Sequence, residues 1–211
     1  MRQLNLGIIG VGHLGALHAK IASQNEYINL VGTYDQDQQR NEEIAQQYQT
    51  RAFTSLPDLF KAVEAVSVVV PTEQHCKVGL QALEQGCHLF IEKPITATVE
   101  EARSLAGRAE ELNRKIQVGH IERFNPAFLA LKDYKLEPKF IECHRLSPFN
   151  PRGIDVSVIL DLMIHDLDII LNLMASPLKS IQACGVGVVS DSEDIANVRL
   201  SFENGSVANI T

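Results

Sequence analysis

Between Leu4 and Val118, five short apolar runs alternate with segments patterned as helices. The runs are Leu4–Ile9, Ile28–Tyr34, 65–70, His88–Ile91 and Ile116–Val118. This alternation leaves little choice of fold. Parallel strands need a crossover of about a dozen residues or more, and crossovers in one sheet are right-handed. The run 65–70 is rich in β-branched residues, as expected of a central strand covered on both faces. Helices are expected over 13–23 and 37–48, and a short one at Pro57, which suits a first-turn position. Another is expected over 73–85, with Gly86 just past its end. Thr98-Val99-Glu100-Glu101 reads as a capping box opening a helix with Ala102, Leu105, Ala106, Ala109 and Leu112 on one face. Residues 1–119 are therefore expected to form an α/β domain, a doubly wound parallel sheet of the Rossmann type.

The pattern changes after Gly119. A helix is expected over 124–134 and a strand over 139–146. Pro148, Pro151 and Gly153 mark a loop, and a long helix follows. Strands are expected over 180–189, Ile195–Phe202 and from Val207, with Asn204-Gly205 as a hairpin turn. Residues 120–211 thus read as an α+β domain with an open, mostly antiparallel sheet. The chain ends inside that sheet, as if truncated, and an unfinished sheet leaves an edge to be paired or covered. Val198, Leu200 and Phe202 alternate along a strand and are expected to supply apolar area for association.

The formal net charge of −7 argues against nonspecific binding to nucleic acid or to anionic membranes. A local basic pocket still leaves room for an anionic substrate. The apolar stretch 156–174 is broken by Asp161, His165, Asp166 and Asp168, so it is a poor membrane span. Met1-Arg2-Gln3-Leu4-Asn5 lacks the apolar core of a secretory leader, and a cytoplasmic location is expected. Cys76, Cys87, Cys143 and Cys184 form neither a C-x-x-C motif nor a zinc set. Free thiols and no metal are expected.

Gly10-Val11-Gly12-His13-Leu14-Gly15 closes the first apolar run. Gly10 permits the sharp turn into the helix, Gly12 lets the backbone approach a pyrophosphate, and Gly15 allows close helix–strand packing. His13 and Leu14 open a helix whose free N–H groups and positive dipole end would face the phosphates. Asp35 ends the second run, where a carboxylate accepts ribose hydroxyls and repels a 2′-phosphate; NAD is the expected cofactor. Pro71, Thr72 and His75 follow the run 65–70, on the edge where open parallel sheets bind ligands. His75 either contacts the nucleotide or packs on its own helix.

Glu92-Lys93-Pro94 ends the next run on that same edge. An ammonium there can hydrogen-bond a substrate oxygen and stabilise developing negative charge. Glu92 can pair with Lys93 or with a distant cation, and both residues are expected to contact the cofactor as well, from the same ligand-binding edge. Further on, Asp161, His165, Asp168 and Asn172 fall within an arc of roughly 60° on a uniform helix. The stripe is either a solvated face or a histidine tuned as a general base by neighbouring carboxylates.

The glycine loop, the lysine turn and the Asp/His pair, in this order, resemble the Gfo/Idh/MocA family of nicotinamide-dependent oxidoreductases over nearly the whole chain. The resemblance implies that Lys93, Asp161 and His165 are catalytic, with the Asp/His pair approaching the lysine across an interdomain cleft. It also implies association through the open sheet face, as a homodimer or homotetramer. Gly119-His120-Ile121-Glu122-Arg123-Phe124-Asn125-Pro126 is similar to a subgroup acting on UDP-linked N-acetylhexosamines, the UDP-N-acetylglucosamine 3-dehydrogenases. That similarity makes a UDP-sugar the expected substrate, oxidised at C3. His165 would meet it, Arg123 and Arg145 would clamp its anionic groups or else make surface ion pairs, and Asn125 would read a hydroxyl or amide. Either Lys93 or His165 serves as the formal base. The alternatives are oxidation of inositol or a free sugar, or a non-catalytic NAD-binding regulator.

Overall fold

The computed structural model describes residues 2–148, 157–190 and 193–211. Pro151, Gly153 and the residue at 156 lie outside them. The chain divides into two compact units, Met1–Gly119 and His120–Thr211.

In the first unit, strands β1 (Leu4–Ile9), β2 (Ile28–Tyr34), β3 (Arg51–Ala52), β4 (Ala65–Val68), β5 (His88–Ile91) and β6 (Ile116–Val118) form one sheet. Helices α1 (His13–Gln24), α2 (Gln38–Gln47), α3 (Leu56–Ala62), α4 (Thr72–Glu84) and α5 (Val99–Glu111) connect them. All pairings are parallel, in the order β3-β2-β1-β4-β5-β6. The chain walks outward from β1 to β3, then returns to pair β4 with the other side of β1. The direction reverses between β1 and β4, which opens a crevice at their carboxyl ends.

Neighbouring residues of β1 serve opposite faces. Ile8 packs with Val11, Ala19, Ala22 and Ile44, beneath α1 and α2. Ile9 packs with Leu59, Val66, Val68, Val78, Leu83 and Leu105, beneath α3, α4 and α5. Each such side chain contributes about 1.5–3 kcal/mol on burial. Asp37, Ser55 and Thr98 cap α2, α3 and α5 through their side chains, Thr98 in a full capping box. β3, two residues long, is too short to leave a periodicity and was not expected.

The second unit departs more from the sequence pattern. The segment 124–134 is not one helix: a 3-10 turn (Ile121–Phe124) leads into α6 (Pro126–Leu129) and a further 3-10 turn (Ala130–Asp133). Pro126 excludes helical geometry at Asn125, which stays extended at φ −59° and ψ 128° and caps α6 instead. Strands β7 (Phe140–Cys143), β8 (Leu178–Val186), β9 (Ile195–Phe202) and β10 (Val207–Ile210) order as β7-β10-β9-β8. The β8–β9 and β9–β10 pairs are antiparallel and β7–β10 is parallel. Gly205 takes φ +82° in the tight turn between β9 and β10, a conformation glycine adopts without penalty.

A π-helical turn (Ile159–Met163) runs into α7 (Ile164–Leu173), which covers one sheet face. Val198, Leu200 and Phe202 lie on that covered face. They are 7, 2 and 2% exposed and pack against Met163, Ile170 and Met174. They therefore form the core and are not an association surface. Ile195, Asn197 and Arg199 take the exposed face of β9, and every residue of the edge strand β8 is exposed, Ile181 and Val186 among them. Among the described residues, no helix is long and apolar enough to cross a membrane.

Candidate active site

The three loop glycines answer to different constraints. Gly10 has φ +86°, and a Cβ there would lie 2.7 Å from the Val69 carbonyl oxygen. A Cβ on Gly15 would lie 1.9 Å from the Gly10 carbonyl oxygen. The fold itself excludes a side chain at both. Gly12 is different: a Cβ there would meet nothing within 4 Å. Its bareness serves the space outside the chain. Among the described residues, α1 and α4 lack the side-chain caps that α2, α3 and α5 carry. Their first N–H groups open at the carboxyl ends of β1 and β4, beside Gly12, His13 and Leu14 on one strand exit and Pro71 and Thr72 on the other. Free helix N-termini at a bare glycine backbone suit a diphosphate.

Asp35 reaches back to this loop. Its Oδ2 accepts the Val11 N–H at 2.6 Å, and its Oδ1 accepts the Asp37 N–H at 3.0 Å. Each carboxylate oxygen retains a second lone pair, so acceptance from a ribose hydroxyl stays open. Arg40 donates from Nε to the Val11 carbonyl at 3.3 Å, so Val11 is held from both sides. Arg40 carries no motif and was not anticipated.

His75 does not face the crevice. It is 1% exposed, with Nδ1 2.9 Å from the Pro94 carbonyl oxygen and Nε2 2.9 Å from that of Val70. The ring joins the chain leaving β4 to the chain leaving β5, so its position bears on site geometry and not on direct nucleotide contact. Lys93 is half-buried at the end of β5. Glu92 beside it turns inward. Its Oε1 lies 3.1 Å from His18 Nε2, and its Oε2 accepts the Lys93 N–H at 3.2 Å. Burial alone would raise the Glu92 carboxyl. The His18 hydrogen bond, the Lys93 N–H and the charges of His18 and Lys93 outweigh it and hold the group below its ordinary value.

In the second unit, the side chains offered by sequence as substrate anchors are engaged internally. Arg123 forks onto Asp168, Nε at 2.7 Å and Nη2 at 2.5 Å. Arg145 forks onto the buried Asp166 with two 2.8 Å bonds. Asn125 accepts the Ala127 N–H through Oδ1 and donates through Nδ2 to Glu122, both at 3.0 Å. Burial would raise the Asp168 carboxyl, but the Arg123 hydrogen bonds and the charges of His120, Arg123 and His165 hold it below its ordinary 3.8. His120 Nδ1 lies 4.0 Å from Asp168 Oδ1.

Asp161 and His165 are both half-buried. Asp161 sits in the π turn and His165 on α7, so the uniform helical step assumed from sequence does not hold between them. Such turns are frequent at functional sites. Asn172 donates from Nδ2 to the Asp168 carbonyl at 2.8 Å. A cavity of about 450 Å³ opens in this unit beside Arg123, walled by Phe124, Phe128, Tyr134 and Ile169. Among the described residues, no cluster of His, Cys, Asp or Glu is placed to hold a metal.

Residues 4–120 match the family described as an oxidoreductase family with an NAD-binding Rossmann fold, and residues 137–211 match the Gfo/Idh/MocA C-terminal domain. The chain belongs to the Gfo/Idh/MocA oxidoreductase family. Within it, the chain is 42% identical over 212 residues to a UDP-N-acetylglucosamine 3-dehydrogenase of Acidithiobacillus ferrooxidans, spanning 100% of this chain and 67% of that one. A solved structure of the Acidithiobacillus ferrooxidans dehydrogenase superposes with a TM-score of 0.94 at 41% identity, covering 100% of this chain and 69% of the other. A scyllo-inositol 2-dehydrogenase (NAD(+)) of Bacillus subtilis is 27% identical over 199 residues, 87% of this chain and 57% of that protein. The chain thus spans about two thirds of the length of the Acidithiobacillus ferrooxidans dehydrogenase. The first unit of this Gfo/Idh/MocA protein is an NAD-binding Rossmann domain.

Proposed function

We propose that this protein is an NAD-dependent dehydrogenase that oxidises a sugar-ring hydroxyl, with C3 of UDP-N-acetylglucosamine as the preferred position. The chemistry rests on one coincidence in a single chain. An open glycine cradle and a lysine turn share one sheet edge, and an Asp/His pair on a π-interrupted helix follows. The substrate rests on the 42% identity to a UDP-N-acetylglucosamine 3-dehydrogenase.

Gly10, Gly12, His13, Leu14 and Gly15 cradle the diphosphate through backbone N–H groups. Asp35 accepts from the adenosine ribose and disfavours a 2′-phosphate. Pro71 and Thr72 border the same crevice. NAD bound there would supply the acceptor for the hydride that leaves the sugar carbon. Lys93 hydrogen-bonds the reacting oxygen and stabilises its developing charge, and His165 takes the hydroxyl proton, supported by Asp161.

Lys93→Ala and His165→Ala are each expected to lower turnover by about a hundredfold or more while NAD still binds. Acting on one oxygen, the double variant falls short of the product of the two effects. Near-native turnover in His165→Ala would return the polar stripe to a solvated helix face. The exposed Val186 and Ile195, paired across β8 and β9 on the face opposite α7, support a two-fold homodimer, or a homotetramer built from it, through the outer face of the second sheet. Light scattering showing a monomer at every concentration would remove that assembly.

One observation favours a second reading. Arg123 and Arg145 already hold Asp168 and Asp166 through Nε and Nη2, which leaves each guanidinium fewer donors, and less net charge, to offer a diphosphate. An inositol or free sugar needs no anion clamp. Turnover of the full chain with NAD and UDP-N-acetylglucosamine, myo-inositol or glucose separates the two readings.

A further inference from the structure

The strongest unassigned cluster lies in the first unit, beneath the lysine turn. His18 projects from α1, the helix opened by the glycine loop. Its Nδ1 lies 2.8 Å from Ser67 Oγ on β4, and its Nε2 lies 3.1 Å from Glu92 Oε1. Ser67 is 3% exposed, and the side chains of His18 and Glu92 are 18 and 15% exposed. The imidazole also meets the Phe90 ring edge-on at 5.6 Å. Glu92 is fixed at its other oxygen by the Lys93 N–H. A carboxylate only accepts, so His18 Nε2 is the donor in this pair.

Gly119 closes the arrangement from the end of β6. A Cβ there would lie 2.7–2.9 Å from the Glu92 carboxylate atoms. Gly119 has no positive φ, so the space that Glu92 occupies accounts for its bareness. His18 of α1 and Gly119 after β6 thus meet at one carboxylate, with Ser67 of β4 behind the imidazole, and that carboxylate holds the backbone of the lysine.

We infer that His18 and Glu92 are positioning residues for Lys93. The Ser67–His18–Glu92 chain fixes the lysine turn to the same helix that carries the glycine loop. Nucleotide seated on α1 and the amine that serves the substrate oxygen then share one rigid mount. The catalytic half of this inference rests on the proposed dehydrogenase function; the clamp itself does not.

Two measurements on the full chain test it. The first needs neither cofactor nor activity. Amide hydrogen exchange at Lys93, read by NMR, is expected to be slow in the native protein. It should rise at least tenfold in His18→Ala and in Gly119→Ala, which displaces the Glu92 carboxylate without removing a charge. His18→Gln, which keeps a side-chain N–H donor, is expected to restore much of the protection. Unchanged exchange in His18→Ala overturns the clamp. The second is kinetic. At saturating NAD and sugar, His18→Ala is expected to lose at least tenfold in kcat with the Kd for NAD changed less than threefold, and His18→Gln to recover most of the loss. A merely structural histidine would lower the melting temperature and NAD affinity together, with no rescue by Gln, and that result overturns the positioning role. So does native kcat alongside a loosened Lys93 amide. If the native protein turns over no sugar or polyol, the function falls, and the exchange measurement still decides the clamp.

Discussion

Gly12→Ala and Gly15→Ala place the same methyl group three residues apart, with opposite expected consequences. At Gly15 the Cβ lands 1.9 Å from the Gly10 carbonyl oxygen and 2.8 Å from its carbon. Both are backbone atoms of a turn already at positive φ, so no side chain can rotate away. Overpacking of this kind costs about 1–3 kcal/mol. At about 4–8 °C per kcal/mol for a domain of about 100 residues, the melting temperature should fall by roughly 4–24 °C. At Gly12 the Cβ meets nothing within 4 Å, and φ −60° suits alanine. Stability should fall by no more than about 1 kcal/mol, the margin by which alanine is a poorer N-cap than glycine. The methyl instead fills the space through which a diphosphate approaches the backbone. A tenfold or greater loss of NAD affinity is expected, equivalent to about 1.4 kcal/mol. Thermal denaturation and calorimetric titration with NAD measure the two effects separately. An unchanged Kd in Gly12→Ala would refute the assignment of the open space to the cofactor, and a native melting temperature in Gly15→Ala would refute the steric argument.

Asp35→Ser should narrow an NAD preference expected to be at least tenfold over NADP, with some loss of affinity for both, because Asp35 also holds the Val11 N–H; equal affinities in the native protein would contradict this role. Arg145→Ala leaves the buried Asp166 carboxylate without its partner and should cost about 3–5 kcal/mol by denaturant unfolding, whereas adding Asp166→Asn should recover part of it. The Asp168 carboxyl is depressed in the folded state, so its contribution is full above its ordinary 3.8 and is lost as pH falls through the lower folded value. The difference in melting temperature between the native protein and Asp168→Asn should therefore shrink as pH is lowered below 3.8.

What sequence could foretell follows from the range of each interaction. β1, β2 and β5, the capping box at Thr98 and the Asn204-Gly205 turn are set by residues within a few positions of one another, and they stand where the pattern puts them. The π turn under Asp161 is invisible to periodicity, because one widened turn does not alter which residues are apolar. Arg123 reads as an anion clamp until Asp168, 45 residues later, is found in its fork. His18 carries no motif of its own, and its partners arrive from β4, 49 residues on, and from the end of β5. The inward face of Val198, Leu200 and Phe202 was open to either reading, since alternation shows that two faces differ without showing which one a helix covers.

The most direct measurement follows the hydride. UDP-N-acetylglucosamine carrying deuterium at C3 is incubated with the full chain and NAD, and the nicotinamide product is examined by mass spectrometry. Deuterium in the reduced nicotinamide, formed by the native protein and lost in Lys93→Ala, is the expected result. Reduced nicotinamide without the label, or formed only from myo-inositol, would contradict oxidation at C3 of a UDP-sugar.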